Sequence, residues 1–155
     1  NILIRRSRFE DPTCLRQFCG VPVRHMIDVA FYLNAALRGP SVGLPAFHAA
    51  FRSHAGQVTS MQTAPGFGAG LLEWELFLRG AVQLGLARPE DALAGLPELD
   101  RIYGAFEGGF PELAAGRERL PALRTRLEAG ERGLVDTTFQ AAMDQAESLV
   151  RARSA

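Results

Sequence analysis

Proline placement constrains this chain more than any other feature. Leu96-Pro97-Glu98-Leu99, Phe110-Pro111-Glu112-Leu113 and Leu120-Pro121-Ala122-Leu123 each set a proline at the head of an apolar helical pattern. Proline has no N–H and a φ fixed at about −65°, so it suits the first turn of a helix and disrupts the interior. Asp11-Pro12, Pro22, Leu44-Pro45 and Arg88-Pro89 read as helix starts by the same logic, and Gly20, Gly39, Gly95 and Gly108-Gly109 as stops.

This punctuation predicts helices over about 12–19, from Pro22 to Gly39, 44–61, 71–87, 88–95 and 96–108. Two short pieces open at Pro111 and Pro121, and a final helix covers about 134–152. The Gly-rich stretch Ala64–Gly70 reads as a loop, either a flexible entrance or a plain turn. Ala and Leu dominate while Val, Ile and Thr are sparse, which favours helix over strand. The expected fold is an all-α, single-domain bundle of about seven to nine helices, several of them short with proline at the first position. It occupies residues 11–155 of a 155-residue chain. Residues 1–10 form an N-terminal segment, read as the end of a missing upstream region because the chain begins at Asn1 rather than Met. The proline spacing is irregular and shorter than a solenoid repeat.

Charge narrows the chemistry. The 17 basic residues are all Arg, balanced by 17 acids. Without lysine there is no phosphate-binding lysine loop, no Schiff base and no lysine general base. Residues 1–60 carry seven Arg against three acids, and the remainder ten against fourteen. Arg5, Arg6 and Arg8, with Arg16 and Arg24, could form a salt-sensitive nucleic-acid arm, or simply a solvated terminus. No apolar run reaches the ~18 residues of a membrane span. Cys14 and Cys19 would sit about 140° apart on one helix and read as small buried hydrophobes in a reducing compartment. The expected location is cytoplasmic.

A few residues interrupt the helical faces. In the 71–87 helix, Glu75, Arg79 and Gln83 form a narrow polar stripe, whereas Glu73 projects with Phe77, Gly80 and Leu84 on an apolar side. A carboxylate there could anchor a ligand, bind metal or act as acid or base; as the third residue of its helix it could instead cap its own N-terminus. In the 44–61 helix, His54 lies on the face of Phe47, Phe51, Val58 and Met61. Phe47, Phe51, Phe67, Trp74 and Phe77 would converge with His54 and Glu73 if these two helices face each other. That arrangement describes an apolar small-molecule pocket, or an ordinary aromatic core.

In the second helix His25, Asp28 and Tyr32 share the outer face, with Arg24 paired to Asp28, while Asn34 turns inward. The last helix carries the stripe Val135, Phe139, Ala142, Met143, Ala146, Leu149 and Val150, which could pack within the domain or against a second subunit as a homodimer.

The reading is a non-catalytic helical module that binds a small apolar ligand or a protein partner, as the sensor or regulatory part of a larger protein. His54, Glu73, Phe47, Phe51, Trp74 and Phe77 form its expected ligand site. One alternative is a helical enzyme or haem/metal protein built on His54 and Glu73, with the cofactor unspecified. The other is the Arg-dependent nucleic-acid contact.

Overall fold

The structure, a computed structural model, describes residues 16–37, 39 and 65–154. The chain is mostly helical. Among the described residues it contains five helices and one short hairpin: β1 (Gln17–Phe18), β2 (Val21–Pro22), α1 (Ile27–Leu37), α2 (Phe67–Gln83), α3 (Pro89–Phe106), α4 (Pro111–Glu128) and α5 (Thr137–Ser154). The expected 44–61 helix, and with it His54, Phe47 and Phe51, lies outside the described residues, as do Cys14 and the arginines Arg5, Arg6 and Arg8.

The count of seven to nine helices is corrected chiefly at two prolines. Pro97 and Pro121 do not start helices; they lie inside α3 and α4. An interior proline costs about 3 kcal/mol. The buried stripes run through both sites: Leu96, Leu99 and Tyr103 on α3, and Leu113, Gly116, Leu120, Leu123 and Leu127 on α4. Burying one large apolar side chain returns about 1.5–3 kcal/mol, so several on one stripe outweigh the lost backbone bond.

The 12–19 helix is also corrected where it is described. Gln17–Phe18 pairs antiparallel with Val21–Pro22, with Phe18 opposite Val21. Cys19 (φ 52°) and Gly20 (φ 78°) form the two-residue loop. Two positive φ values in succession match the twist of a tight hairpin, which glycine adopts freely and cysteine does not. Phe18, Val21 and Val23 are buried, so packing of this hairpin outweighs the strain at Cys19.

α2 is the central helix. Twelve of its residues are buried, and only the side of Trp74, Leu78 and Ala81 is more open. It starts at Phe67, inside the stretch expected to be a loop, because the glycines there serve close packing. A Cβ on Gly66 would stand 2.5 Å from His25 Cε1, and one on Gly70 would stand 3.1 Å from His25 Cβ. A Cβ on Gly68 would collide with Glu112 Oε1. α3 and α4 pack against each other and against α2. α5 covers α2 and α4 with Phe139, Met143 and Ala146, so its apolar stripe is used within the chain.

Candidate functional site

α1, α2 and α3 leave a cleft of about 370 Å³ between them. α1 contributes Val29 and Leu33, one turn apart. α2 contributes Trp74, Phe77, Leu78 and Ala81, and α3 contributes Ala92, Gly95, Leu99 and Ile102. Helical spacing of three or four brings each set onto one face. The space exists because Ala81, Ala87, Ala92 and Gly95 stand where helices packed tightly would carry larger side chains. Phe77 is a buried wall: its ring meets Phe18 edge-on at 5.6 Å and Trp74 edge-on at 6.1 Å. Trp74 itself is 43% exposed, unusual for the largest apolar side chain in a small domain. Two ionisable residues, Asp91 and Glu98 of α3, complete the lining.

Trp74 and Phe77, expected at a ligand site, therefore line one cleft together. Glu73 is absent from its lining. The Glu73 side chain is 1% exposed and points toward the residues that precede α1. Its Oε1 accepts the Arg24 N–H at 2.7 Å and the His25 N–H at 3.2 Å; its Oε2 accepts the Met26 N–H at 2.6 Å and shares that of His25 at 3.2 Å. Met26 stands immediately before α1, and its carbonyl accepts the Ala30 N–H at 3.1 Å. The α2 carboxylate gathers three successive N–H groups of the segment that leads into α1, none of them within the helix itself. Burial pushes the Glu73 carboxyl above its ordinary pKa, against the pull of the three N–H groups and of His25 nearby. The backward cap on its own helix is not formed, and the carboxylate's acceptor positions are taken by the chain itself.

The expected outer face of the second helix is corrected too, because α1 begins only at Ile27. Arg24 and His25 precede the helix and both reach Glu147 of α5, with Arg24 Nη1 at 3.0 Å and His25 Nε2 at 2.8 Å. Arg24 thus pairs with Glu147 rather than Asp28. Asn34 donates to the Gln17 carbonyl at 2.8 Å, tying α1 to the hairpin. Cys19, half-buried, donates its thiol to the Gly80 carbonyl at 3.6 Å, and burial pushes its pKa up to about 11.

The sequence reading missed a second polar centre. The stripe Glu75, Arg79 and Gln83 faces the interior, with Glu75 at 0% and Arg79 at 4% exposure. Glu75 Oε1 accepts Arg79 Nε at 2.8 Å and Nη2 at 2.6 Å; its Oε2 accepts the Tyr103 hydroxyl at 3.2 Å and Arg119 Nη2 at 3.4 Å. Arg79 also donates to the Leu134 carbonyl at 2.9 Å and lies over the Phe139 ring, while Gln83 accepts the Val135 N–H at 3.0 Å. Burial and the neighbouring Glu75 charge hold the Tyr103 phenol protonated, well above its ordinary pKa. Arg119 Nε is buried without a hydrogen-bond partner. The network bonds α2 to α3, α4 and the loop before α5. None of Glu75, Arg79, Tyr103 or Arg119 lines the cleft, so we read them as structural. The signal for it was the i,i+4 spacing of Glu75 and Arg79, which lets a carboxylate and a guanidinium pair within a buried face.

Among the described residues, no group of three His, Cys, Asp or Glu side chains is disposed to hold a metal ion. None of the helices is long and apolar enough to cross a membrane, again among the described residues. Comparison with known protein families, with curated proteins and with solved structures finds no match to this chain.

Proposed function

We propose that this chain is a non-catalytic helical module that holds a small apolar molecule in the cleft between α1, α2 and α3. The observation that carries the proposal is the cleft itself: about 370 Å³, walled by aliphatic and aromatic side chains, with Trp74 left half-exposed at its side. That volume falls in the range of about 300–1,000 Å³ typical of small-molecule sites. Neither buried polar centre opens into it, so binding there would rest on the hydrophobic effect and shape. A bound apolar molecule would cover Trp74 and bridge three helices, stabilising the folded state by mass action.

Trp74 is the only tryptophan of the chain, which makes its emission a direct reporter. The test is a screen of apolar small molecules by thermal shift, with each hit titrated against Trp74 fluorescence. The proposal expects hits that raise the melting temperature and shift the emission saturably. Hits that stabilise the protein without changing Trp74 emission, or a screen without hits, would refute it.

A further inference from the structure

Granting that the cleft binds a small molecule, we infer that its occupant is uncharged. The two ionisable residues of the lining, Asp91 and Glu98, have their carboxylates turned to arginines of their own helix region. Asp91 accepts the Arg88 backbone N–H at 3.1 Å, Arg88 Nε at 3.0 Å and Arg88 Nη2 at 2.9 Å. Glu98 accepts Arg101 Nε at 2.8 Å and Nη2 at 2.6 Å. Both are two-pronged guanidinium–carboxylate pairs, the geometry that satisfies a carboxylate most fully. Arg88 and Arg101 do not line the cleft.

The consequences for a ligand differ by charge. An anion meets no arginine and has two carboxylates at the boundary. A cation competes with a guanidinium for either carboxylate only at the water-exposed rim, where an ion pair contributes little, or enters the apolar space without a partner. An ion of either sign that enters the apolar space loses hydration that the aliphatic and aromatic lining does not replace. An uncharged hydrophobic molecule loses none, and the cleft provides apolar walls on three sides. Each arginine's hydrogen bonds hold its carboxyl below the ordinary range, Asp91 at about 2, so both are ionised at neutral pH. The site therefore selects by charge without itself presenting an unpaired one.

The test compares three probes of one shape, 3-phenylpropanol, 3-phenylpropionate and 3-phenylpropylammonium, at pH 7.5. Excitation at about 295 nm reaches only Trp74, because phenyl and tyrosine rings absorb at shorter wavelength. The alcohol is expected to bind at least about ten times more tightly than either ion, a difference of about 1.4 kcal/mol. Gly95→Leu places a side chain in the cleft where Leu78 Cδ1 would stand 3.4 Å from the new Cβ, and should cut the alcohol's affinity at least about tenfold. Its melting temperature should not fall, because leucine favours a helix interior over glycine. An ion that binds as tightly as the alcohol overturns the inference while leaving a ligand-binding cleft. If none of the three changes Trp74 emission, the cleft reading fails with it. Light scattering is run alongside; a dimer that dissociates as the alcohol binds would make a second copy the occupant and also overturn the inference.

Discussion

Removing the Glu73 carboxylate should loosen the start of α1 more than any other single change near it. Three backbone N–H groups, from Arg24, His25 and Met26, converge on this side chain at 2.6–3.2 Å. A hydrogen bond to a charged group contributes about 1.5–3 kcal/mol, and an amide left buried without a partner costs about 1–3 kcal/mol. The three are not additive, since water can enter the space left by a truncated side chain. Glu73→Ala is therefore expected to cost about 3–5 kcal/mol, and Glu73→Gln about 1.5–3 kcal/mol, because the amide keeps one acceptor oxygen and turns an NH2 toward an N–H donor. At about 2–4 °C per kcal/mol for a chain of this size, the alanine variant should melt about 6–20 °C lower. Urea denaturation followed by circular dichroism gives the free energy. Hydrogen exchange at residues 24–30 gives the location, where protection should fall before that of α3 and α4. An alanine variant within about 0.5 kcal/mol of the parent, or unchanged exchange at residues 24–26, would refute the anchor.

Three further outcomes follow from the packing. Arg79→Leu should cost about 3–5 kcal/mol by leaving Glu75 buried beside fewer donors, and the Glu75→Leu/Arg79→Leu pair should cost less than the sum of the single changes in a denaturation double-mutant cycle. Gly80→Ala brings a Cβ against Phe18 and to 2.8 Å from Cys19 Sγ, and should lower stability in thermal melts by about 1–3 kcal/mol despite alanine's better helix propensity. With its pKa at about 11 against an ordinary 9.0, Cys19 holds about 100-fold less thiolate at pH 8 than a free thiol. In a Cys14→Ser background its reaction with a disulfide reagent should be slower by about that factor, and a rate equal to free cysteine would contradict its burial.

The parts of the fold legible in sequence are those decided locally. α1, α2 and α5 follow from apolar periodicity, with their starts displaced by a few residues. Glu73 stands out on an apolar face because such a carboxylate needs a partner, yet its partner lies some 47–49 residues back along the chain and is made of backbone, which carries no sequence signature. Pro97 and Pro121 mislead for the converse reason: local preference opposes them, and the leucine stripes on either side outweigh it. Gly20 reads as the stop of a 12–19 helix until the burial of Phe18 and Val21 is known. Of the aromatics grouped in the sequence, Phe67 packs on Phe106 and Phe110, whereas Trp74 and Phe77 meet edge-on at 6.1 Å. Their cleft partners Val29 and Leu33, and the α3 residues Leu99 and Ile102, depend on three helices meeting, which periodicity along one helix does not encode.

The most direct test of the cleft is a methyl NMR titration with 3-phenylpropanol. Saturable shifts should concentrate on the methyl groups of Val29, Leu33, Leu78, Leu99 and Ile102, with those of Leu113, Leu123 and Leu127 on α4 unmoved. Shifts spread evenly over both sets, or confined to the α4 leucines, would contradict a ligand site between α1, α2 and α3.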